Sequence, residues 1–144
     1  MSPDHTHRFG RHAAAFLLPH SILALFGPLG AGKTSFVQGL ASGLNIKTLV
    51  QSPTFTYLHV FTEGILPLFH FDLYRMKNPA DFFSMGFEEY FNQGGITVIE
   101  WPDRLGPLLP DRAYSFFFSY TDSGRRVNLS SSIDSKLIDF QSRV

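Results

Sequence analysis

Between Gly27 and Thr34 the chain reads Gly-Pro-Leu-Gly-Ala-Gly-Lys-Thr, the G-x-x-x-x-G-K-[ST] spacing of a phosphate-binding loop. Each residue type has a physical task in that pattern. Gly27, Gly30 and Gly32 can take positive φ without a Cβ clash, so the backbone can turn tightly. Successive N–H groups then point inward, where they can cradle phosphate oxygens. A helix starting near Lys33 adds its positive N-terminal end. The Lys33 ammonium suits the β- and γ-phosphates, and the Thr34 hydroxyl suits Mg²⁺. With Gly at about 7% of residues and similar rates for Lys and for Ser/Thr, a chain of this length matches by accident roughly 0.5% of the time.

Such a loop needs an acid to hold Mg²⁺ or its water, commonly at the carboxyl end of a neighbouring strand. Asp72 follows the run Leu68-Phe69-His70-Phe71, and Glu100 follows Ile96-Thr97-Val98-Ile99. Spacing leaves both open for the metal. Thr54, in Ser52-Pro53-Thr54, could act as a switch threonine that senses the γ-phosphate, or the segment could be plain turn chemistry. Arg75 could meet phosphate or an acidic partner, while Tyr74 suits a core position. The sole Trp, Trp101, beside Glu100, suits either a half-buried core or a stacking surface. Arg125 and Arg126 could reach a nucleotide or face solvent.

The elements that must position these groups follow from periodicity. Thr6 to Leu18 predicts an amphipathic helix with Thr6 as N-cap and Phe9, Ala13, Phe16 and Leu17 on one face. Ser21 to Phe26 reads as a buried strand. Lys33 to Leu40 or Ser42 reads as the loop's helix, with Gly43 as its cap. A strand from Phe55 to Phe61, a turn at Thr62-Glu63-Gly64 and a strand from Ile65 to Leu73 suggest a β-hairpin. Asn78-Pro79 opens a helix to about Met85, and Glu88 to Asn92 could add a helical turn or two. Ile96 to Ile99 is a buried strand, and Asp103 to Asp111 is loop. Tyr114 to Tyr120 and Arg125 to Leu129 form a second hairpin around Asp122-Ser123-Gly124, before a short terminal helix. Early alternation of strands and helices, with later hairpins, gives an α/β three-layer domain with a mixed parallel and antiparallel sheet.

Bulk numbers bound the class. The length fits one domain spanning residues 1–144. Hydrophobic residues at 44%, with 16 Phe, exclude a disordered chain. Twelve basic and twelve acidic residues cancel, so there is no overall basic footprint for nucleic acid. The absence of Cys removes disulfides and thiolate metal sites. His5, His7, His12 and His20 lack an accompanying carboxylate or Cys spacing and read as solvated positions. No signal peptide or membrane-length apolar run is evident, and the expected location is the cytoplasm.

Taken in order, the blocks resemble the TsaE (YjeE) family, the small P-loop ATPases of bacterial tRNA threonylcarbamoyladenosine synthesis. The resemblance rests on Gly30-Ala31-Gly32-Lys33-Thr34, Ser52-Pro53-Thr54-Phe55-Thr56, the H-x-D-x-Y-R block His70-Phe71-Asp72-Leu73-Tyr74-Arg75, Met85 to Phe91, Glu100-Trp101-Pro102, and a T-x-x-x-G-x-x-x-A pattern over Thr6 to Ala14. Pro28 departs from an acidic residue common in the family, and the chain after Trp101 matches poorly.

The resemblance implies ATP and Mg²⁺ as ligands. It implies that Leu29, Gly30, Ala31, Gly32, Lys33, Thr34 and Ser35 hold the phosphates, with Arg125 as a further nucleotide contact. Thr34 and Glu100 would bind Mg²⁺, which settles the choice that spacing left open. Lys33, Asp72, Glu100 and Thr54 would form the catalytic set, Asp72 and Thr54 organising the γ-phosphate side and the attacking water. It further implies slow ATP hydrolysis in support of TsaD-like and TsaB-like partners, with tRNA engaged indirectly and no membrane. The absence of an N-K-x-D guanine reader agrees with ATP. Two other readings stand beside it: a small-molecule P-loop kinase, disfavoured because Asp81 to Gly95 has no Arg or Lys for a lid, and a non-hydrolysing nucleotide-binding scaffold.

Overall fold

A computed structural model describes residues 3–28, 32–53, 55–121 and 124–129, with residues 3–4, 120–121 and 124–129 described by backbone alone. Among the described residues three helices, α1 (Pro3–Ala13), α2 (Lys33–Gly43) and α3 (Ala80–Ser84), accompany six strands. The strands are β1 (Ile22–Phe26), β2 (Leu58–Phe61), β3 (Leu68–Asp72), β4 (Ile96–Glu100), β5 (Tyr114–Thr121) and β6 (Gly124–Leu129). They form one sheet in the order β2-β3-β4-β1-β5-β6. The inner four run parallel, and β2 and β6 close the two edges antiparallel. The expected mixed sheet is present, and both hairpin pairings, β2 with β3 and β5 with β6, occur.

Burial explains the middle of the sheet. All five residues of β3 and all five of β4 are buried, as strands covered on both faces require. Leu23, Leu25, Ile96, Val98, Phe116 and Phe118 pack on one face against Phe9 of α1 and Phe36, Val37 and Leu40 of α2. Ile22, Phe69, Phe71 and Ile99 pack on the other face with Phe82, Phe91 and Leu105. Two apolar faces on one sheet give the three layers. Many of the Phe side chains lie in these cores: Phe36 lies 5.5 Å from Phe9 and 5.2 Å from Phe116, ring centroid to centroid.

Several boundaries differ from expectation, each for a local reason. Helix α1 starts at Pro3, whose missing N–H costs nothing in a first turn, so Thr6 is a buried helical residue and not a cap. Phe16 is half-buried in a short 3₁₀ turn, while Phe9, Ala13 and Leu17 are buried as expected. Gly43 is the last residue of α2, and Asn45 takes the left-handed conformation beyond it. Strand β2 begins at Leu58, not Phe55, because Tyr57 N–H bonds back to the Pro53 carbonyl at 3.0 Å and closes a turn. Ile65 stays outside β3 because its N–H bonds the Leu44 carbonyl, at 2.7 Å, at the end of α2. The Glu88 region is a 3₁₀ segment, Phe87–Asn92, and the loop after Trp101 contains two short 3₁₀ turns. Asp122, Ser123 and the expected terminal helix lie outside the described residues. Among the described residues no helix is long and apolar enough to cross a membrane.

Helices α1 and α2 meet backbone to backbone. A Cβ on Gly10 would collide with the Phe36 carbonyl oxygen, and one on Gly39 with the His7 carbonyl oxygen. This close approach holds α2, and Lys33 at its start, against the sheet. Gly39→Ala gains about 1 kcal/mol of helix propensity but must push the two backbones apart, at about 1–3 kcal/mol or more. The expected net effect is a lower thermal unfolding midpoint. A raised midpoint would show that the helices can separate freely.

Candidate functional site

The parallel strands place the site residues at their carboxyl ends, where open α/β sheets present their ligands. β1 ends at Phe26 and the chain turns at Gly27 (φ 142°), which sits so close to β5 that a Cβ would strike the Phe118 carbonyl oxygen. Gly32 (φ 108°) opens α2, and the first helical bond runs from Phe36 N–H to its carbonyl at 2.9 Å. Among the described residues no side chain caps this helix end. The amides of Lys33, Thr34 and Ser35 therefore form the electropositive first turn. Thr34 and Ser35 are half-buried. Leu29, Gly30, Ala31 and Thr54 lie outside the described residues, and of Arg125 only the backbone, paired with Tyr120 in the β5–β6 ladder, is described.

Lys33 is 4% exposed. Its Nζ donates to the Gly27 carbonyl at 2.6 Å and sits 3.9 Å from the centroid of the Trp101 ring. Desolvation pulls its pKa below the ordinary lysine value, while Glu100, Asp72 and Asp103 oppose that pull. The ammonium thus lies in a partly dry pocket within the field of three carboxylates.

The parallel ladder puts Asp72 directly opposite Glu100, and Leu25 of β1 opposite Glu100 on its other side. Asp72 and Glu100 are 5% and 3% exposed. Ser52 Oγ donates to Asp72 Oδ2, and Tyr74 N–H donates to Asp72 Oδ1 at 3.0 Å. Asp72 N–H also bonds the Tyr57 carbonyl at 2.9 Å. The two flanks of the Ser52–Tyr57 segment are therefore fastened to the end of β3. Glu100 accepts a hydrogen bond from His70 Nε2 at 2.6 Å, with both side chains buried.

Three features of the site escaped the sequence reading. Trp101 is half-buried against the second core, one of the two expectations for it, but its left-handed backbone (φ 58°), which folds the ring onto Lys33 and, at 5.0 Å, onto Tyr74, was not foreseen. Ser52 is the partner of Asp72, and His70 the partner of Glu100. The last had a signal: in the strand run His70-Phe71-Asp72, alternate residues share a face, so His70 had to point the way Asp72 does. Arg75 stacks its guanidinium 4.5 Å from the ring of Phe55, which is 79% exposed.

Among the described residues no cluster of three or more His, Cys, Asp or Glu could hold a metal unaided. Mg²⁺ takes one or two protein oxygens and completes its shell with water and phosphate. The set of an uncapped helix start, one buried ammonium and two facing carboxylates could hold a triphosphate together with such a cation.

The profile of the family described as Threonylcarbamoyl adenosine biosynthesis protein TsaE matches residues 1–127. The chain is 41% identical over 110 residues to the tRNA threonylcarbamoyladenosine biosynthesis protein TsaE of Bacillus subtilis, covering 76% of this chain and 68% of that protein. It is 40% identical over 125 residues to the protein of that name from Treponema pallidum, covering 87% and 92%. The crystal structure of Bacillus subtilis YdiB superposes with a TM-score of 0.81 at 32% identity, covering 99% of this chain and 90% of that one.

The lowered Lys33 pKa has a consequence for stability. Its folded value lies below its unfolded value, so between the two the unfolded chain binds more protons and stability rises with pH. Below that window the buried charge destabilises the fold. Lys33→Met is therefore expected to melt higher than the wild type at pH 7, with the advantage shrinking as pH climbs towards the ordinary lysine range. Melting curves from pH 7 to 10 check this; a gap that widens with pH would contradict it.

Proposed function

The chain belongs to the TsaE family, which acts in tRNA threonylcarbamoyladenosine biosynthesis, and on that premise we propose that it is a slow Mg²⁺-dependent ATPase supporting threonylcarbamoyl transfer to tRNA. The observation that carries the reading is the convergence of Lys33, Asp72 and Glu100 at the carboxyl ends of β1, β3 and β4, in front of an uncapped helix. A bound Mg²⁺ would supply charge neutralisation to the phosphates, with Thr34 and Glu100 as the residues that would hold it.

The chain's own groups divide the remaining work. Lys33 exchanges the Gly27 carbonyl and the Trp101 face for phosphate oxygens. The loop amides from Leu29 to Ser35 cradle the phosphates, and Thr34 and Glu100 hold the metal side. Asp72, already fastened to Ser52, links the γ-phosphate side to the segment that carries Thr54. Loss of the γ-phosphate would then be felt by that loop, whose Phe55 is exposed and stacks against Arg75 beyond β3. ATP turnover in this account resets a complex with TsaD-like and TsaB-like partners and leaves the transfer chemistry to them. The kinase reading gains nothing from the geometry: the Arg- and Lys-free stretch over α3 and Phe87–Asn92 is anchored in the core through Phe82 and Phe91.

Two outcomes test the site. Lys33→Ala is expected to weaken ATP binding by roughly 100-fold through loss of its charge-assisted bonds. Glu100→Ala is expected to spare most binding but to weaken hydrolysis and its Mg²⁺ dependence; a wild-type rate with wild-type Mg²⁺ dependence would remove Glu100 from the metal. The pathway role is tested by reconstituting tRNA threonylcarbamoylation with the partner proteins, with and without this chain. Multiple turnover should require it, and undiminished turnover without it would overturn the proposal.

A further inference from the structure

We propose that His70 is the positioning residue for Glu100, fixing the carboxylate on the face that carries Lys33. This inference rests on the reading of Glu100 as the metal-side acid. The two residues come from neighbouring strands, β3 and β4, whose register sets His70 opposite Val98 and Asp72 opposite Glu100. Alternate strand residues share a face, so His70, Asp72, Val98 and Glu100 all point to the α2 side. There the Glu100 side chain reaches back to His70, and Nε2 meets Oε2 at 2.6 Å.

The surroundings make this a costly arrangement for packing alone. His70 is fully buried, and same-face neighbours Leu68 and Val98 belong to the apolar core. An aliphatic side chain would satisfy that environment without a polar atom to solvate. The imidazole Nδ1 is buried and has no hydrogen-bond partner among the described residues. One ring nitrogen is therefore left idle while the other is aimed at Glu100. An ionised carboxylate only accepts, so Nε2 carries the hydrogen. The bond occupies one carboxylate oxygen and restricts the rotation of a side chain with three torsions. In metal sites, a partner that fixes a ligand in this way typically contributes 10–100-fold to affinity.

The test is the Mg²⁺ requirement for binding a non-hydrolysable ATP analogue, measured by calorimetry on the full chain. His70→Leu, His70→Gln, His70→Asn and Glu100→Gln are compared with the wild type. Gln carries its amide nitrogen where Nε2 lies; Asn places it where Nδ1 lies and falls short of Glu100. His70→Leu should keep Mg²⁺-free affinity within about 3-fold and raise the Mg²⁺ concentration for half-maximal effect by roughly 10–100-fold. His70→Gln should restore it. A folded His70→Leu with a wild-type requirement, or a Gln variant as impaired as Leu, overturns the proposal. If His70→Leu fails to fold, the Gln and Asn pair decides: only Gln should keep the wild-type requirement, and equal behaviour overturns the inference. Glu100→Gln separates the two levels. A raised requirement there beside an unchanged His70→Leu defeats the role of His70 alone. An unchanged requirement in Glu100→Gln defeats the metal-side reading and this inference with it.

Discussion

A buried ammonium is the constraint around which the structure is arranged. Lys33 is nearly inaccessible, and its charge is held by a backbone carbonyl, an indole face and the field of Glu100, Asp72 and Asp103. An isolated cation there would be prohibitively expensive. Two of the carboxylates that offset its cost stand at the ends of β4, which pairs with β1, and of β3, the next strand out. The helix that carries Lys33 must press on the sheet, which the Gly10 and Gly39 contacts between α1 and α2 allow. The site and the core are in this sense one packing problem.

That arrangement also explains how a loop change could be transmitted. The Ser52–Tyr57 segment is fastened to β3 at both flanks, through Ser52 and through the Tyr57 carbonyl, and both fasteners end on Asp72. A group that alters the hydrogen bonding of Asp72 acts directly on that segment. Trp101, seated on Lys33, ties the start of the next loop to the same ammonium. Movement of Lys33 would therefore act on the loop after β4 through Trp101 and on the Ser52–Tyr57 segment through the field it shares with Asp72.

Much of this was legible in the sequence wherever the signal was local. The glycine spacing, the apolar runs of β1 and β4, and the acids at the ends of β3 and β4 depend on near neighbours in the chain. The paired edges β2 and β6 followed from turn residues. What depended on distant partners was not legible. The Phe55 alternation resembled a strand, yet the Pro53–Tyr57 turn took its backbone bonds. Thr6 has the chemistry of a cap but is buried inside α1. The pairing of His70 with Glu100 needed the β3–β4 register, and the seat of Trp101 needed a left-handed backbone that no propensity announces at a tryptophan. Family resemblance supplied the choice of Glu100 for the metal, which neither spacing nor composition made.

The proposed site would hold one Mg²⁺-nucleotide between the Gly27–Thr34 loop and the strand-end acids. The most direct measurement is a crystal structure of the chain with Mg²⁺ and a non-hydrolysable ATP analogue. The phosphates are expected over the start of α2, Lys33 withdrawn from Gly27 and Trp101 onto phosphate oxygens, and the metal between Thr34 and the Glu100 side. Nucleotide bound elsewhere, or Lys33 still on the Gly27 carbonyl with the site filled, would contradict that arrangement.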